Sequence, residues 1–151
     1  MTTRLGIHVS SGKRDGFGTF LKRCADSGNP ASVIFALDQD IWPDVQAYSP
    51  KTKVIYRTQP GGLDNPQNFY GRNPQIMAQD WMASIMPIWA KNHADYYAPG
   101  NELDVVDVPS AKQLNDFYLE CMKIADANGY KLAVYAFSGG NPRDSADSTL
   151  E

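Results

Sequence analysis

Residues 96–104 read YYAPGNELD. A short apolar run enters a Pro-Gly break, and an Asn-Glu pair follows at once. An apolar run that stops at a turn and hands over to polar side chains fits a buried parallel strand reaching the edge of its sheet. A glutamate is uncommon in this chain, which carries only Glu102, Glu120 and Glu151. One of them stands at this strand end, and the neighbouring segments decide which sheet it belongs to.

Upstream, Pro74 opens a helical pattern that runs to about Asn92, the longest in the chain. Met77, Trp81, Ile85, Ile88 and Trp89 recur at helical spacing, which reads as core packing, and Pro87 is expected to kink it. Before it lies a long Gly-, Pro- and Asn-rich loop, 60–74, of a length usually tied to function or mobility. KVIYRTQ (53–59) is a strand and 40–48 a short helix. ASVIFALD (31–38) is a continuous apolar run, expected to be a strand covered on both faces. A helix near 17–27 carries Phe17, Phe20, Leu21, Cys24 and Ala25 on one face and ends at Gly28. RLGIHVSS (4–11) is the first strand.

Downstream, Ser110 and Gln113 match a capping box. The helix behind them buries Leu114, Phe117, Tyr118, Cys121 and Ile124 and stops at Gly129. YKLAVYAFS (130–138) is a fifth strand, and 139–151 is a polar, turn-rich tail.

The order β-α-β-α-β-α-β-α-β describes one α/β domain over 1–151 with a parallel sheet. Two closures fit it. One is a (βα)4β unit, half of a TIM-type barrel. The alternative is a five-stranded, flavodoxin-like doubly wound sheet.

Composition narrows the function classes. The 151 residues are 42% hydrophobic and 21% charged, with a net charge of -3. Basic residues are scattered, so no nucleic-acid footprint is expected. No apolar run approaches the roughly 20 residues of a membrane span, and no signal peptide is evident, so the chain is expected to be cytoplasmic as expressed. SSGKRDGFG after the first strand matches neither a dinucleotide fingerprint nor a P-loop, and no cofactor is expected. Cys24 and Cys121 read as structural. His8 reads as a core histidine and His93 as a helix-end cation, and no metal site is expected.

In either closure, ligands bind at the C-terminal edge of the strands. Asp38 and Asp40 collect there after strand two, Arg57 and Gln59 after strand three, and Asn101, Glu102 and Asp104 after strand four. A glycosidase needs one carboxylic acid to protonate the leaving oxygen and a second carboxylate to attack or to activate water. Glu102 suits the acid, because partial burial raises a carboxyl toward a useful pKa. Asn101 is placed to bond a substrate hydroxyl. The structural readings stand beside these: a buried ion pair between Glu102 and Arg57, a turn residue at Asp104, and helix caps at Asp38 and Asp40.

YYAPGNELD, the helix LNDFYLECMKIADANGYK and the following FSGGNP are similar to segments of clan A retaining glycoside hydrolases, which are TIM barrels. The resemblance implies that Glu102 is the acid/base and that Asn101 contacts the sugar 2-hydroxyl, with carbohydrate as the partner. In that clan the nucleophile is a Glu after strand seven, which this chain lacks. Weak or absent turnover by the lone chain is therefore expected. Open sheet edges on strands one and five lead to an expected homodimer.

Overall fold

The computed structural model describes residues 6–10, 14–37, 40–57, 69–100, 103 and 105–134. Strands β1 (Gly6–Val9), β2 (Val33–Leu37), β3 (Lys53–Arg57) and β4 (Tyr96–Ala98) alternate with four helices. The helices are α1 (Phe17–Asp26), α2 (Trp42–Tyr48), α3 (Pro74–Trp89) and α4 (Val108–Ala127). All four strands are parallel and lie in the order β1-β2-β3-β4. A parallel bridge between Tyr97 and Leu132 carries the sheet on beyond β4. There Tyr97 N donates to the Lys131 carbonyl at 2.8 Å, and Ala133 N donates to the Tyr97 carbonyl at 2.8 Å.

The order is consecutive, whereas a flavodoxin-like sheet places its first strand between the second and third. Right-handed crossovers that always step the same way leave every helix on one side of the sheet. The burial of the strands agrees. Ile34, Ala36, Val54, Tyr56 and Tyr97 alternate along their strands onto one face, and all are buried in a core shared with the helices. Leu21 and Val45 join that core from α1 and α2, Met82 and Trp89 from α3, Phe117 and Cys121 from α4. Trp89 stacks on Tyr97 at 4.9 Å, and Tyr130 closes edge-on against both rings.

The opposite parity has a different environment. Val33, Phe35 and Leu37 are half-buried, so among the described residues β2 is less covered on this face than its apolar run suggests. His8 and Tyr96 on this face are exposed. Among the described residues it is the less covered, open face of the sheet, although Arg57 and Ala98 at its C-terminal end are buried.

Local stops follow their chemistry. Gly28 and Gly129 sit at φ 76° and 77° behind α1 and α4, where a left-handed residue ends a helix without steric cost. Asn73 caps α3 by accepting from Ile76 N at 2.9 Å, and Pro74 follows it in the first turn. Two expectations change. Helix α3 ends at Trp89, two residues after Pro87, and α4 is the longer helix. The cap of α4 is Asp107 rather than Ser110. Asp107 accepts from Ser110 N at 2.7 Å, and the Ser110 hydroxyl accepts from Asp107 N at 3.0 Å.

Gln113 has another task. Its amide donates to the Phe69 and Arg72 carbonyls at 2.7 and 3.1 Å and accepts from Gly71 N at 3.1 Å. It ties the turn before α3 to α4.

Candidate functional site

Of the sequence-predicted site residues, Asn101, Glu102, Asp104, Asp38 and Gln59 lie outside the described residues. Arg57 lies within them. The segment that carries Asn101 and Glu102 is held at both ends. Before it, the Trp81 indole donates to the Pro99 carbonyl, and Gly100 is buried. A Cβ on Gly100 would stand 2.9 Å from the Tyr118 hydroxyl, so glycine is needed for close packing against α4. After it, Leu103 and Val105 are buried in the core. The Pro-Gly break therefore anchors the strand end as much as it turns it.

Arg57 ends β3 and is 8% exposed. Its guanidinium lies over the Phe35 ring, 5.4 Å from the centroid. Such a contact is a cation–π attraction between the guanidinium and the ring. On the other side of Phe35, the His8 ring stands edge-on at 5.3 Å. Register places His8, Phe35, Ile55 and Tyr96 opposite one another on four successive strands. At about 4.8 Å per strand, this row spans roughly 14 Å. Leu37, Arg57 and Ala98 form the next row toward the C-terminal edge.

His8 is thus an exposed surface residue, not the core histidine expected from its strand. His93 also differs from its reading as a helix-end residue. It follows α3 and meets the Trp42 ring edge-on at 6.5 Å. Phe35 and Tyr96 were not expected at the site. The signal that points to them is parity: Phe35, Ile55 and Arg57 occupy one face once the register is known.

Other candidate groups have structural partners. Asp40 accepts from Trp42 N at 3.0 Å, capping the start of α2, and its carbonyl accepts from Arg14. Arg14 also pairs with Asp44 at 3.7 Å. Glu120 lies on α4 and pairs with Lys123 at 3.1 Å. Burial pushes the Cys121 thiol up to about 12, so it is inert as a nucleophile. Burial also raises the Tyr97 phenol, whose hydroxyl donates to the Asn92 carbonyl at 3.0 Å. Among the described residues no group of three or more His, Cys, Asp or Glu could hold a metal, and no helix is long and apolar enough to cross a membrane.

No protein-family model, curated protein or solved structure matches this chain.

Proposed function

We propose that the chain is a glycoside-hydrolase-like half barrel, related to retaining O-glycosidases of polysaccharides or oligosaccharides, that binds carbohydrate along its open face. Glu102 is the acid/base, and Asn101 contacts the sugar. Arg57, Gln59, Asp38 and Asp104 are the further substrate-binding residues of this reading. The observation that carries this reading is the open face itself. A consecutive parallel sheet has helices on one side, and its other side bears the rings of His8, Phe35 and Tyr96 with the Arg57 guanidinium against Phe35. Rings such as Phe35 and Tyr96 offer an apolar platform for the C–H face of a sugar. Arg57, only 8% exposed, brings its positive charge against the Phe35 ring of this platform.

Within this chain no further glutamate stands at a described strand end. Glu120 belongs to α4. Binding with weak or no turnover is the expected behaviour of the chain assayed alone. The chain also self-associates through its sheet edges.

Affinity electrophoresis in gels containing soluble polysaccharides tests the binding. Retardation by at least one polymer, abolished in Phe35→Ala and in Arg57→Ala, is expected. Uniform migration in every gel defeats the proposal. Aryl β-glycosides test the chemistry. Robust turnover that Glu102→Gln abolishes would show that a second carboxylate is supplied after all.

A further inference from the structure

The two lateral ends of the sheet carry matching features. At one end, β1 pairs only with β2 among the described residues. A groove of about 310 Å³ runs beside it, lined in part by Ile7, Val9, Phe17 and Phe20. Phe20 is 46% exposed on the outer side of α1, with Arg23 one turn further along. At the other end, a groove of about 420 Å³ lies between α4 and the segment beyond β4, lined in part by Met122, Asp126, Leu132 and Val134. Met122 is 46% exposed on α4, with Asp126 one turn further along. Neither Arg23 nor Asp126 has an ion-pair partner among the described residues.

Within the chain, each successive strand pair joins parallel strands, and α1 packs on α2 and α3 on α4. Among the described residues, each lateral end is an unpaired strand edge with an uncovered groove beside it, where no crossover helix of the chain lies. In a crossover of this type the helix runs back against its strands, so α1 and α4 point the same way. Along that direction α1 presents Phe20 and then Arg23 near its end. Helix α4 presents Met122 and then Asp126 near its end. The apolar and charged positions follow in the same order and with opposite charge.

Resting on the self-association reading above, we propose that the occupant of each edge is the opposite edge of a second copy. A two-fold axis along the strands forms two equal seams. In each, Phe20 packs on the partner's Met122, and Arg23 pairs with the partner's Asp126. Both open faces then line one shared interior. Such a closed arrangement satisfies each edge without leaving a free one.

Light scattering of the intact chain at micromolar concentration is expected to give twice the formula mass of 16.7 kDa. Arg23→Glu and Asp126→Lys, each placing like charges across both seams, should each weaken the dimer at least tenfold. The double variant Arg23→Glu/Asp126→Lys should restore it. These positions are exposed, and circular dichroism checks that each variant folds. A monomeric parent chain overturns self-association itself. A dimer indifferent to both single variants, or not restored by the double one, overturns this geometry alone. Oxidation provides a second measurement in a Cys24→Ser background. Mixing Phe20→Cys chains with Met122→Cys chains should yield the 20–122 disulfide in preference to 20–20 or 122–122. Equal yields of the three would also overturn the geometry.

Discussion

The two faces of the sheet are built from the same strands and have opposite physics. On the helix side, Ile34, Val54, Tyr56 and Tyr97 are sealed under four helices, and their aromatic partners are ring on ring. On the open side, Phe35 and Ile55 are half-buried between exposed His8 and Tyr96, and the Arg57 guanidinium lies over the Phe35 ring. The first face forms the core, and the second is the less covered one among the described residues. Side-chain alternation along a strand is what separates the two.

The largest expected effects test that separation directly. Trp89→Ala removes a fully buried indole from the Tyr97–Tyr130 cluster and should cost about 3–5 kcal/mol in a denaturant melt. Phe35→Ala, on the open face, should cost only about 1 kcal/mol because a half-buried ring has less apolar surface to lose. It should nevertheless abolish retardation in polysaccharide gels. Equal losses of stability from the two variants would break the comparison, since they would mean that both faces are covered.

A second test concerns the junction where the buried face meets Pro99 and Gly100 after β4. Gly100→Ala drives a methyl toward the hydroxyl of Tyr118, which is itself 1% exposed and has little room to yield. Overpacking of this kind costs about 1–3 kcal/mol. Gly71 is the control, since its Cβ would meet nothing within 4 Å and only its φ of 82° opposes substitution. If Gly71→Ala proves the costlier change, close packing is not what sets the strand end.

The elements were legible in the sequence because their signals are local. Continuous apolar runs marked β2 and β3, helical spacing marked α3 and α4, and Gly28 and Gly129 marked two helix ends. The open face was not legible. In ASVIFALD, Val33, Phe35 and Leu37 are as apolar as Ile34 and Ala36, so no pattern distinguishes the covered parity from the open one. The packing of the helices makes that distinction, and nothing within the strand itself records which parity they cover. His8 could be assigned only once its neighbour Phe35 was known.

The cap of α4 failed for a related reason. Ser110 and Gln113 satisfy the capping-box spacing, but Pro109 is already suited to a first helical turn, which moves the cap back to Asp107. Gln113 was thereby free to bind the turn at 69–72. For the site, the chain order placed Arg57 at its strand end correctly. The contact of Arg57 with the Phe35 ring depends on strand register, which no single segment encodes.

Gln113→Ala sharpens the role of that turn. It removes three hydrogen bonds that join residues 69–72 to α4 and should cost about 1–2 kcal/mol. Hydrogen exchange should show faster opening at Gly71, with little change at Tyr97. Uniform acceleration would mean that the turn belongs to the same cooperative unit as the covered face.

The smallest effect is expected at the exposed cap of α4. Hydrogen bonds from the Ser110 backbone and side chain hold the Asp107 carboxyl below its ordinary value. The folded state therefore favours the ionised form. Its contribution is fully present above the unfolded aspartate range and is lost as pH falls through the lowered folded value. Asn is also a good cap but carries no charge, so Asp107→Asn isolates this term. Thermal melts of parent and variant should differ slightly at neutral pH, with the parent higher. The gap should close below roughly pH 4, where the unfolded and then the folded carboxyl take up a proton. A gap that widens on acidification would reverse the sign and remove Asp107 as a charged cap. A gap that stays constant with pH would assign the cap to hydrogen bonding alone.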